Sequence, residues 1–81
     1  MVEINLWSGL RRFADGKDVV EVEGKTVGEA LEDLVRKHPG LDPVIKAGVS
    51  VSVDGEILPT ARHVPVTDDS EVFLLQRLKG G

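Results

Sequence analysis

Glu71-Val72-Phe73-Leu74-Leu75-Gln76-Arg77-Leu78-Lys79-Gly80-Gly81 is the stretch whose reading decides the fold. Its first half is apolar at consecutive positions. A strand with one wet face alternates, so this run marks a central strand in contact on both sides. Its second half changes character: Gln76 to Lys79 is polar enough to leave a sheet for solvent. Gly80 and Gly81 carry no Cβ, so the end of the chain can thread a channel too narrow for a side chain and present an α-carboxylate there.

A central last strand needs neighbours, and working outward from it supplies them. Asp68-Asp69-Ser70 is turn chemistry leading into it, with too few ligands at useful spacing for a metal site. Upstream, Val49, Val51 and Val53 alternate with Ser50, Ser52 and Asp54, which predicts a strand. Asp54-Gly55 then turns into a short strand at Glu56-Ile57-Leu58, stopped by Pro59. At the other end, Val2, Ile4 and Leu6 alternate with Glu3, Asn5 and Trp7, and Val20 and Val22 alternate with Glu21 and Glu23. These two strands are expected to form an antiparallel hairpin with a long connection. Within it, Leu10 to Ala14 reads as a loop or helical turn tucked against the sheet, and Asp15-Gly16 as a turn.

One long helix is expected between the two strand groups. Thr26-Val27-Gly28-Glu29 fits a capping box, with the Thr26 hydroxyl accepting from the Glu29 amide and the Glu29 carboxylate answering Thr26. Val27, Ala30, Leu31, Leu34 and Val35 then form one apolar stripe that needs a sheet face to cover. Glu29, Glu32, Asp33, Arg36 and Lys37 occupy the other face and read as a solvated surface, with Glu32/Arg36 and Asp33/Lys37 in the favourable acid-first order. Pro39 ends the helix at His38. Asp42-Pro43 opens one further helical turn as N-cap and first residue, closed by Gly48.

Composition narrows the functions available. Eighty-one residues make one small domain with little room for an internal active site. A net charge of -4 disfavours nucleic acid or an anionic membrane as partner, and the absence of cysteine removes disulfides, thiolate metal sites and a cysteine nucleophile. No apolar run reaches membrane-spanning length and no signal peptide is evident, so a cytoplasmic location is expected. His38 and His63 are isolated, and the Gly24 and Gly28 spacing is not that of a phosphate loop. Neither catalytic residues nor a metal site nor a bound cofactor is expected.

The order is strand, strand, helix, strand, short strand, strand: an α+β chain with a mixed four- to five-stranded sheet and one main helix on one face. With its terminal diglycine, that order resembles the ubiquitin-like β-grasp fold, and most closely the MoaD/ThiS family of sulfur carriers in molybdopterin and thiamine biosynthesis. Leu10-Arg11 followed by Gly16 is similar to the segment after the first strand in these carriers. Val51-Ser52-Val53-Asp54-Gly55 is similar to their Val-Asn-Gly strand end, and Asp69-Ser70-Glu71-Val72 to the Gly-Asp-Glu-Val that opens their last strand. Gln76-Arg77 stands where molybdopterin-type carriers often have a proline pair, and Arg77 to Gly81 is close to the Arg-Leu-Arg-Gly-Gly end of ubiquitin. The organisation expected is a β-grasp domain over 1–76 and a flexible tail over 77–81.

The resemblance implies a chemistry. A carboxylate is a poor electrophile, so a separate E1-like adenylyltransferase/sulfurtransferase would use ATP and Mg2+ to convert the Gly81 carboxylate to an acyl-adenylate, and a sulfur donor would give a thiocarboxylate. A downstream synthase would accept the sulfur. Gly80 would supply clearance, Leu78 an apolar anchor, and Arg77 and Lys79 either contacts to acidic or phosphate groups or only solubility. The alternative it implies is a ubiquitin-like modifier joined through Gly81 to target lysines, and a third reading is a β-grasp binding module with an incidental tail. The free chain is expected to be a monomer.

Docking needs a surface as well as a tail. If Val72 and Leu74 face the helix, alternation sends Phe73 and Leu75 to the opposite sheet face, where no second helix is available. Either Phe73, Leu75 and nearby Leu58 form an exposed partner-binding patch, or Leu10 and Phe13 fold over them.

Overall fold

A computed structural model describes residues 1–58 and 63–75 of the chain. The elements in order are strand β1 (Val2–Asn5), a 3-10 helix (Ser8–Phe13), strand β2 (Val19–Val22), helix α1 (Val27–Lys37), a 3-10 turn (Pro39–Leu41), helix α2 (Asp42–Ala47) and strands β3 (Ser50–Val53), β4 (Glu56–Leu58) and β5 (Glu71–Leu75). The strands form one mixed five-stranded sheet in the order β2-β1-β5-β3-β4. The last strand is therefore central, as its apolar run predicts. It pairs parallel with β1 and antiparallel with β3, while β1–β2 and β3–β4 are antiparallel.

Period-two alternation decides which side chains face α1. Val2, Ile4, Val20, Val22, Val51, Val53, Val72 and Leu74 are all buried, and against them pack Val27, Ala30, Leu31 and Leu34 of α1. A fully buried side chain such as Ile4, Leu34 or Leu74 contributes about 1.5–3 kcal/mol relative to exposure. Leu10, Ala14, Leu41 and Val66 close the rim of the same core, with Trp7 and Phe13 partly buried against it.

The start of α1 is doubly fixed. The Glu29 amide donates to the Thr26 hydroxyl at 3.2 Å, as the capping box requires. The Glu29 carboxylate reaches the amide of Lys25 at 2.9 Å rather than that of Thr26. The cap segment is also laced to residues 64–66, through Val27 N–H to Val64 O and Val66 N–H to Lys25 O, both 2.9 Å. At the other end the His38 amide still donates to Leu34 O at 2.8 Å, and Pro39 follows.

Two local expectations are corrected. Asp42 is the first residue of α2 rather than its cap; Leu41 holds the cap position and no side chain caps the helix. Asp33 is not on a solvated face. It is buried, because the chain leaving β2 crosses that side of α1 and aims the Glu23 amide at its carboxylate, 2.9 Å away.

The β3–β4 turn uses Asp54 and Gly55 with φ of 51° and 86°, the left-handed pair of a two-residue hairpin. Gly55 has open space around its missing Cβ, so only backbone strain opposes a side chain there. Gly55→Ala is expected to lower stability by about 1 kcal/mol, measured by urea denaturation.

Candidate functional site

The candidate site has two parts, a sheet face and a tail. Arg77, Leu78, Lys79, Gly80 and Gly81 lie outside the described residues, as does the side chain of Leu58. Phe73 and Leu75 lie within them. Phe73 is 40% exposed and Leu75 half-buried, so β5 is central by pairing yet covered on one face only. Leu10 and Phe13 do not fold over it. Leu10 is part of the helix-side core, and the Phe13 ring sits against Gly40 in the turn that follows α1.

Strand register extends the patch across the whole sheet. Ile57 pairs with Ser52, Ser52 with Phe73, Phe73 with Asn5, and Asn5 with Val19, which sets five residues from five strands in one row on the outer face. Ile57, Phe73 and Val19 are 60%, 40% and 39% exposed, while Ser52 is buried between two bulky neighbours. Asn5 fixes the middle of the row by donating to the Val72 carbonyl at 3.0 Å. Sequence reasoning missed Ile57 and Val19. The signal was present in alternation, but only the register shows that these positions line up with Phe73.

The next row along the strands is acidic. Glu21 pairs with Glu3 and Glu3 with Glu71, with all three exposed on the same face. Like charges directly opposite one another are destabilising, by about 0.2–1 kcal/mol per pair. At the nearby edge the N-terminal ammonium lies 2.8 Å from Asp68. That bond chiefly raises its pKa, with Glu21 and Glu23 adding to the effect.

Two hollows lie on the helix side among the described residues. A groove of about 390 Å³ beside the α1 cap is lined by Glu23, Gly24, Lys25, Glu29, Glu32 and Arg36. A cleft of about 190 Å³ lies between α1 and α2 and includes Leu31, Val35 and Ile45. Among the described residues no group of three His, Cys, Asp or Glu side chains could hold a metal ion. Also among them, no helix is long and apolar enough to cross a membrane.

The sequence model of the ThiS family matches residues 4–81. The chain belongs to the ThiS family. It is thus one of a family of small sulfur carriers, and its fold is the ubiquitin-like β-grasp. A chain of the BexX/CysO complex of Amycolatopsis orientalis superposes with a TM-score of 0.81 at 26% identity, covering 100% of both chains. SAMP1, a small archaeal modifier protein from Haloferax volcanii, matches with a TM-score of 0.75 at 29% identity, over 99% of this chain and 98% of that one. CysO of Mycobacterium tuberculosis shares the fold, with a TM-score of 0.84 at 19% identity over 96% of this chain and 100% of that one. No curated protein matches this ThiS-family chain in sequence.

Proposed function

We propose that this ThiS-family chain carries sulfur as a thiocarboxylate at Gly81, after adenylation by a separate E1-like enzyme. The observation that carries the reading is the family match, which runs through the diglycine to Gly81. The enzyme, not this chain, binds ATP and Mg2+. The Gly81 carboxylate attacks the α-phosphorus of ATP and expels pyrophosphate, leaving an acyl-adenylate whose leaving group is AMP. Sulfide displaces AMP directly. A persulfide instead forms an acyl disulfide, which a second thiol cleaves to the thiocarboxylate as the two remaining sulfurs join in a disulfide. The product holds its sulfur covalently and delivers it to a downstream synthase, of molybdopterin or thiamine type or another.

The remaining residues divide the work of recognition. Gly80 lets the tail pass a narrow channel, Leu78 anchors it, and Arg77 and Lys79 meet acidic or phosphate groups. Phe73 and Leu75, together with Ile57 and Val19 on the same outer face, dock the body of the domain on its partner, a role the exposure of Phe73 supports. Leu58, expected to extend this patch, is left out of it because its register partner Val51 belongs to the helix-side face. The BexX/CysO complex supports protein partners of this kind. The likeness to SAMP1 favours a second reading, conjugation through Gly81 to lysines of target proteins.

Intact-mass spectrometry of the protein recovered from its native cell separates these readings. A free chain heavier by one sulfur-for-oxygen exchange, lost on deletion of Gly81, is expected. A ladder of lysine adducts would establish the modifier instead. Full function in the Gly81 deletion would overturn both.

A further inference from the structure

We infer that Glu3, Glu21 and Glu71 select the activating partner, and that its docking surface is an apolar patch bordered by a row of Lys or Arg side chains. This rests on the carrier reading above and names the chemistry of the surface that reading requires. The three carboxylates lie in direct register across β2, β1 and β5. Within the described residues none of them has an ion-pair partner. Such a ladder works against the fold, since like charges face one another across neighbouring strands. An arrangement that opposes folding yet sits beside the exposed Ile57–Phe73–Val19 row is accounted for by a partner that supplies the missing cations.

Position along β5 orders the surface. Glu71, Phe73 and Leu75 all point outward, and the tail follows Leu75. At about 3.3 Å per residue, the acidic row lies roughly 7 Å beyond the apolar row and roughly 13 Å from Leu75. A partner that grips the tail therefore meets Phe73 next and the carboxylates last. Other occupants fit poorly. The outward strand positions of this face hold Glu3, Asn5, Val19, Glu21, Ser50, Ser52, Ile57, Glu71, Phe73 and Leu75, with no Lys or Arg among them, so a second copy brings no cation from the same face. Nucleic acid and anionic membrane are repelled.

The test uses the full-length chain and the E1-like adenylating enzyme of the same genome. Binding is followed by titration calorimetry at low and high ionic strength, and activation by ATP–pyrophosphate exchange. The double variant Glu3→Lys/Glu21→Lys is expected to raise KM for the carrier by about tenfold or more with kcat unchanged, and to flatten the salt dependence of binding. Phe73→Ser weakens binding but keeps that salt dependence. Glu3→Gln raises the melting temperature while weakening binding, which a purely structural glutamate would not do. Glu32→Lys, on the helix side, is the control for the single variant Glu3→Lys, which makes the same charge change, and shifts KM by less than about twofold. A KM for the double variant within about twofold of wild type, or a loss in the Glu32→Lys control equal to that of Glu3→Lys, overturns the inference while leaving the carrier reading standing. A wild-type chain that neither binds nor is activated overturns both.

Discussion

Gly24→Ala is expected to destabilise the domain by about 3 kcal/mol, the upper part of the usual range for overpacking. A Cβ built at Gly24 would lie 2.6 Å from the Ala30 nitrogen, 2.9 Å from the Glu29 carbonyl carbon and 3.0 Å from the Ala30 Cα. All three neighbours are backbone, so no side chain can swing aside. The first turn of α1 would have to retreat, and it is tied on both flanks: by the Thr26 and Glu29 capping bonds, and by the 2.9 Å bonds of Val27 to Val64 and Lys25 to Val66. The glycine is needed for close approach rather than for an unusual backbone angle, since its φ is not in the left-handed region. Chemical denaturation gives the loss directly. A value near that of Gly55→Ala would mean that the cap segment yields easily, and that α1 is held to the sheet mainly by its apolar stripe.

That contact illustrates what was legible in the sequence and what was not. Alternation at Val2/Ile4, Val20/Val22 and Val51/Val53 located three strands, and Thr26 with Glu29 located the helix start, because these signals are local and repeat within one element. Phe73 was legible for the same reason: once Val72 and Leu74 face α1, parity sends it to the other face, where 40% of it is exposed. Long-range facts were not legible. Nothing local to Gly24 says that Ala30 passes 2.6 Å from where a Cβ would stand. Nothing local to Glu3 says that its cross-strand neighbours on both sides are glutamates, which depends on a parallel pairing between the first and last strands. Helical period alone places Asp33 on the polar face of α1. Period fixes the direction of a side chain relative to its own helix, not what another segment brings to meet it.

Asp33 carries the second large effect, and its pH dependence identifies the cause. The carboxylate accepts from the Glu23 amide at 2.9 Å, pairs with Arg36, and lies 3.4 Å from the Lys37 ammonium. Lys37 in turn donates to the Glu21 carbonyl at 2.8 Å, so α1 is clamped to β2 and the chain leaving it at both Glu21 and Glu23. The Glu23 amide is the main influence holding the Asp33 pKa below its usual value, against the opposing effect of burial, with Arg36 and Lys37 assisting. A carboxyl group whose pKa is lower folded than unfolded stabilises the fold above its unfolded value, about 3.9, and ceases to do so as pH falls through its folded value. Asp33→Asn retains an acceptor for the Glu23 amide and removes only the charge. Its stability deficit, larger than that of Gly55→Ala at neutral pH, is therefore expected to stay flat down to about pH 4 and to close below it. Asp33→Ala also strands the amide, so part of its deficit persists in acid. Urea midpoints of the three proteins across that range supply the measurement. A deficit for Asp33→Asn that does not change with pH would assign the clamp to packing rather than charge. Because Glu21 belongs to both the clamp and the acidic row, loosening it would also move one end of the docking face. Asp33→Asn should then weaken partner binding at neutral pH without altering any group on the outer face itself.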